Sequence, residues 1–121
     1  MFDLRLTGSV VEVRVTGEWP REEYLRACAE AAAVPHVRGV LFDLREMTNV
    51  PAPGRGAILA HEVPLLLPQR QVAFVVRLNT ALYGVVRQIT TLTQGELRLF
   101  HDRDSALEWL MEAPGTTDAE P

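Results

Sequence analysis

The chain has 121 residues, 47% of them hydrophobic and 23% charged, which is the balance of a globular domain and excludes an extensively disordered or fibrous one. Its twelve basic residues, all arginines, stand singly along the chain against sixteen acids, for a net charge of −4, so no cationic stripe exists to neutralise a nucleic-acid backbone. No segment approaches the roughly 20 apolar residues that span a bilayer, the single cysteine cannot form an internal disulfide, and the first residues are strand-like rather than signal-like; one soluble cytoplasmic domain is expected over residues 1–112, with a flexible tail over 113–121.

Phe2, Leu4 and Leu6 alternate with Asp3, Arg5 and Thr7, and after Gly8-Ser9 the alternation resumes as Val11, Val13 and Val15 against Glu12, Arg14 and Thr16. This predicts an antiparallel hairpin, each strand with one buried and one wet or lightly covered face, closed by a type II′ turn that needs positive φ at its glycine. Pro20 is expected at the first helical position, with Glu22 and Glu23 set against the helix dipole. The helix should run to about Ala33 on a stripe of Leu25, Cys28 and Ala32, with Tyr24, Ala27 and Ala31 beside it, and end before Pro35.

Gly39–Leu44 and Val72–Val76 are continuous apolar runs, the pattern of strands covered on both faces of a parallel sheet. Between them, Gly54–Leu67 is helical in character through Ile58, Leu59 and Val63 but interrupted by Pro64. Asn79 or Thr80 can cap a further helix carrying Leu82, Val86 and Ile89, stopped by Gly95. A last strand, Glu96–Phe100, leads to a helix capped by Asp102, with Ala106, Trp109 and Leu110 as its inner stripe. The order gives an α/β domain: a mixed five-stranded sheet, made of an N-terminal antiparallel hairpin followed by three βα units, with four helices and right-handed crossovers.

Catalytic constellations are missing from this pattern. His36, His61 and His101 are far apart, and His61-Glu62 begins an H-E-x-x-H zinc motif whose second histidine is replaced by Leu65 and whose helix is broken by Pro64. Ser9 and Ser105 lie outside any G-x-S-x-G elbow, and Cys28 falls on the buried face of its helix. Gly54-Arg55-Gly56 opens a helix where backbone N–H groups and a guanidinium can hold an anion, or where the glycines simply let the chain turn after Pro53. Asp43 ends a buried strand before a loop carrying Arg45, Glu46, Thr48 and Asn49, and ligands collect at the carboxyl ends of strands in α/β sheets; the alternative is that Asp43 accepts hydrogen bonds from loop amides.

Leu41-Phe42-Asp43-Leu44, followed by a loop and by Gly54 at a helix start, resembles the STAS superfamily, whose members include the SpoIIAA-like anti-sigma factor antagonists and the cytoplasmic domains of sulphate transporters. A narrower resemblance, to uncharacterised SpoIIAA-like proteins grouped with STAS and Sec14-like domains, rests on Arg70–Val76, on Tyr83–Arg87, and on Leu99-Phe100-His101-Asp102 leading to Ser105–Leu110. The resemblance implies a protein-binding regulatory domain switched by phosphorylation of a serine in a D-S-x-G turn. Here Pro51 and Ala52 occupy the positions of that aspartate and serine, so the resemblance implies the binding role without the switch.

The expected function is therefore a non-enzymatic protein-interaction module with no cofactor or metal, binding through Asp43, Arg45, Thr48, Asn49, Gly54 and Arg55. The competing reading is a carrier or sensor for an apolar, lipid-like small molecule held by Ile58, Leu59, Val63 and Leu66, against which stands the favoured use of this segment in packing on the sheet or in a homodimer contact.

Overall fold

The computed structural model describes residues 1–18, 20–48, 67, 70–77 and 97–112. Within them are strands β1 (Phe2–Thr7), β2 (Val10–Gly17), β3 (Gly39–Met47), β4 (Gln71–Val75) and β5 (Leu97–Phe100), and helices α1 (Arg21–Ala33) and α2 (Arg103–Met111). The helices expected after Gly54 and after Asn79 lie outside the described residues. The five strands form one sheet in the order β1-β2-β3-β4-β5, with β1 and β2 antiparallel and every later pairing parallel.

The hairpin closes as its sequence dictates. Gly8 has φ +61° and Ser9 is not left-handed, which fits type II′ and not type I′, where both central residues need positive φ. Helix α1 starts one residue later than expected: Pro20 is its cap, extended at ψ 162°, and its carbonyl accepts the Tyr24 N–H at 3.0 Å. The α1 stripe is also rotated from the expected one. Tyr24, Ala27, Cys28 and Ala31 are the buried positions, whereas Leu25 and Ala32 are half-buried at its edge. The small side chains face inward because they let the helix approach the β-branched surface closely. At the far end, Arg70 donates to the carbonyls of Ala31 and Ala32 at 3.2 Å each, supplying the positive charge that the last turn of α1 lacks.

The sheet is covered on both sides. Val11, Val13, Val15, Val40, Phe42, Leu44, Val72, Phe74 and Leu97 pack with α1 on one face, and Phe42 stacks on Phe74 with ring centroids 5.4 Å apart. On the other face Val10, Leu41, Ala73 and Val75 pack under Ala106 and Leu110 of α2. Trp109, expected in that inner stripe, is only half-buried, and lies between Phe100 at 5.8 Å and the Arg98 guanidinium at 5.1 Å. The start of β2 is consequently buried on both faces, contrary to the alternation expected of the hairpin, because α2 reaches over Val10 and Glu12. The α2 cap is as expected: Asp102 accepts the Ser105 N–H at 2.7 Å and the Ser105 hydroxyl at 2.9 Å.

Strand β3 runs three residues beyond the expected Leu44, because Thr16 and Gly17 of β2 extend the ladder to Glu46 and Met47. Arg45 and Glu46 are therefore strand residues and not loop residues.

A Cβ built on Gly39 would lie 2.7 Å from Leu110 Cδ2, and 3.3 Å from both Leu110 Cβ and the Gln71 carbonyl oxygen. Gly39→Ala should cost about 1–3 kcal/mol by urea denaturation, and roughly half that or less in a Leu110→Ala background, where the closest contact, with Leu110 Cδ2, is gone. An equal penalty in both backgrounds would show that the Gln71 carbonyl and the Cβ of residue 110, and not Leu110 Cδ2, set the approach.

Candidate functional site

Among the described residues, α2 covers this face of the sheet only as far as the start of β2, and β1 and the rest of β2 carry no apolar cover there. In cross-strand register, Asp3 lies beside Arg14 and Arg14 beside Asp43, while Arg5 lies beside Glu12 and Glu12 beside Leu41. These polar residues, with Arg45 and Arg103, line a cleft of about 670 Å³.

Glu12 is its most constrained member. The carboxylate is buried and accepts hydrogen bonds from Arg103 Nε and Nη2 at 2.7 Å each, and from the Thr7 hydroxyl. The Arg103 hydrogen bonds outweigh burial and, with Thr7, hold the Glu12 carboxyl below the usual carboxylate range. Arg103 is the first residue of α2, where the helix dipole disfavours a cation. The bidentate pair with Glu12 offsets that cost and fixes the start of the helix over β2.

Asp43 is held in the same manner from within its own strand. Between Arg14 and Thr16 of β2 the register shifts, so that β3 carries one residue more than its partner. Such a bulge interrupts the ladder and re-aims side chains. The Arg45 N–H donates to Asp43 Oδ1 at 3.2 Å, and its guanidinium bonds both carboxylate oxygens at 2.9 and 2.8 Å. Burial pushes the Asp43 carboxyl up, but these hydrogen bonds, with the charges of Arg45 and Arg14, prevail and leave it below its ordinary value. Arg14 and Glu46 form an exposed pair at 2.7 Å, whose contribution to stability is small. Arg5 makes no hydrogen bond or ion pair among the described residues.

This arrangement presents guanidinium edges and ionised carboxylates. Both acids are acceptors only at neutral pH, and neither has the raised pKa of a general acid or base poised near 7. Ser105 is committed to the α2 cap and Cys28 is buried in the core. Among the described residues, no cluster of three or more metal-binding side chains occurs, and no helix is long and apolar enough to cross a membrane.

No protein-family model and no curated protein sequence matches the chain. Two solved structures superpose on nearly all of it. One is an uncharacterised protein from the DUF3478 family with a SpoIIAA-like fold from Shewanella loihica PV-4, 18% identical, with a TM-score of 0.57 over 91% of this chain and 92% of that one. The other is the anti-sigma factor antagonist SpoIIAA in its unphosphorylated form, 15% identical, with a TM-score of 0.57 over 93% of this chain and 100% of that one. The fold is SpoIIAA-like.

Of the residues picked out by sequence, this SpoIIAA-like sheet brings Asp43 and Arg45 into the cleft. Thr48 is exposed just past β3, tied through its N–H to the Gly17 carbonyl at 2.8 Å. Asn49, Gly54, Arg55, Ile58, Leu59, Val63 and Leu66 lie outside the described residues, as do His61 and the Pro51–Gly54 turn. Sequence reasoning missed Glu12 and Arg103, which are 91 positions apart. One local signal was available: an arginine in the first turn of a helix calls for a carboxylate partner.

Arg103→Ala should cost about 2 kcal/mol at pH 7 by urea denaturation, because it leaves a buried carboxylate without its cation at a site that is partly open to water. Folded-state pKa values that are depressed give stability that is complete above the unfolded values and lost as pH falls through the folded ones. The wild type should therefore weaken from about pH 5 downward, and Glu12→Gln should lose measurably less over the same interval. Identical pH profiles for the two proteins would rule out the pairing as a source of acid sensitivity.

Proposed function

We propose that the chain is a non-enzymatic, STAS-type regulatory module that binds a protein partner through the carboxyl end of β3 and the residues that follow. Its surface comprises Asp43, Arg45, Thr48, Asn49, Gly54 and Arg55. The observation that carries this reading is the state of the acids at the site: Glu12 and Asp43 are each held ionised by an arginine, an arrangement suited to recognition rather than to proton transfer. The SpoIIAA-like fold supports it, since one similar structure is that of an anti-sigma factor antagonist. Ala52, standing where the resemblance puts the regulatory serine, makes the binding independent of phosphorylation at that position. The module acts in the cytoplasm and needs no cofactor.

The competing reading, a carrier of an apolar ligand, draws on the segment from Ile58 to Leu67. Leu67, at the end of that segment, is 1% exposed and packs in the α1-side core; Ile58, Leu59, Val63 and Leu66 lie outside the described residues.

Affinity purification from the native host tests the proposal. A protein captured by the wild type should be lost, by at least about tenfold, with Thr48→Arg combined with Arg55→Glu. It should be retained with Glu30→Arg, an exposed position on α1. Equal capture by all three proteins would refute the assigned surface, and a co-purified apolar small molecule in place of a protein would favour the carrier.

A further inference from the structure

Among the described residues no strand pairs with the outer edge of β1, and its sequence is complementary to itself. The Thr16 N–H bonds the Met1 carbonyl at 2.8 Å, which makes Met1–Thr16 a hydrogen-bonded pair of the hairpin. Alternation along the ladder then turns the N–H and C=O groups of Phe2, Leu4 and Leu6 outward, away from β2. An antiparallel copy of β1 centred on Leu4 meets these groups in phase. Leu4 pairs with Leu4, Phe2 pairs with Leu6 and Leu6 with Phe2, giving six main-chain hydrogen bonds about a two-fold axis normal to the sheet.

The side chains agree with that register. On the α1 side, Leu6, which is 59% exposed in the single chain, comes to lie beside Phe2 of the second copy. On the opposite side, Asp3 meets Arg5 of the second copy and Arg5 meets its Asp3. These are non-hydrogen-bonded pairs, in which side chains approach most closely. The complementarity extends inward: Asp43, Arg14 and Asp3 of one chain and Arg5 and Glu12 of the other form one row of alternating sign across the join.

Edges that must stay unpaired carry charges that repel their own image. β1 carries opposite charges placed two residues apart. The other edge, β5, is four residues long, and its one charge is Arg98, engaged over Trp109.

We propose that the chain forms a symmetric dimer through antiparallel pairing of β1 with β1 of a second copy, joining the two sheets into one of ten strands. The two charged clefts then lie on one face of that sheet, side by side across the axis. The charged row meets the proposed partner surface at Asp43, but Thr48 and Arg55, whose substitution tests that surface, are not β1 residues, so either reading can fail without the other.

Sedimentation of the full chain over a micromolar to near-millimolar range tests the proposal. The wild type should reach twice the chain mass. Asp3→Arg and Arg5→Asp, each placing like charges across the axis, should each weaken self-association about tenfold or more. An equimolar mixture of the two variants restores opposite charges at both pairs and should associate nearly as tightly as the wild type. That recovery also shows that both variants are folded. A monomeric wild type throughout the range, single variants that associate as the wild type does, or a mixture no tighter than its components while circular dichroism shows both folded, would each overturn the proposal.

Discussion

Strand β3 has to be covered on both faces, and most of the molecule is arranged around that requirement. Val40, Phe42 and Leu44 face α1, while Gly39 and Leu41 face α2. Fully burying a side chain of this kind is worth roughly 1.5–3 kcal/mol, and each strand residue also requires its ladder hydrogen bonds to be complete. Parallel neighbours on either side, β2 and β4, meet the second requirement. The first brings α2 so close that Gly39 has no room for a Cβ beside Leu110.

Close seating of α2 has a consequence at its first residue. A cation at a helix N-terminus is unfavourable alone, and a carboxylate buried beneath the helix is more so; together, as Arg103 and Glu12, they satisfy one another. Among the described residues, apolar cover stops at that pair. Beyond it the sheet carries charges in place of a third layer, and these pair within strands, as in Asp43–Arg45, or between them, as in Arg14–Glu46. Among the described residues, the fold thus divides one sheet face into an apolar half under α2 and an ionic half lined by charged side chains.

How much of this was legible depended on the range of each interaction. The type II′ turn at Gly8, the Asp102–Ser105 cap and the doubly covered runs at Gly39 and Val72 are read correctly because each is determined within a few residues. The α1 face was misjudged by one position because its alanines and its larger residues interleave, and only the β-branched surface beneath decides which set faces inward. The Glu12–Arg103 pair and the Arg70 contacts to α1 were not legible, since they join residues 91 and 38 to 39 apart. The β3 bulge was hidden for a related reason. It exists only as a mismatch between two strands, and it made Arg45 a partner of Asp43 where a loop residue was expected.

The central claim is that Glu12 and Asp43 on this sheet face are ionised hydrogen-bond acceptors at neutral pH, which the proposed binding role requires. The most direct test is the titration of the Glu12 and Asp43 side-chain carboxyls by carbon-detected NMR in the folded wild-type protein. Both should titrate below the ordinary values for glutamate and aspartate, the direction set by Arg103 and Arg45. A carboxyl at either position that titrates upward, toward neutrality, would contradict the account and identify a proton-transfer group in the cleft.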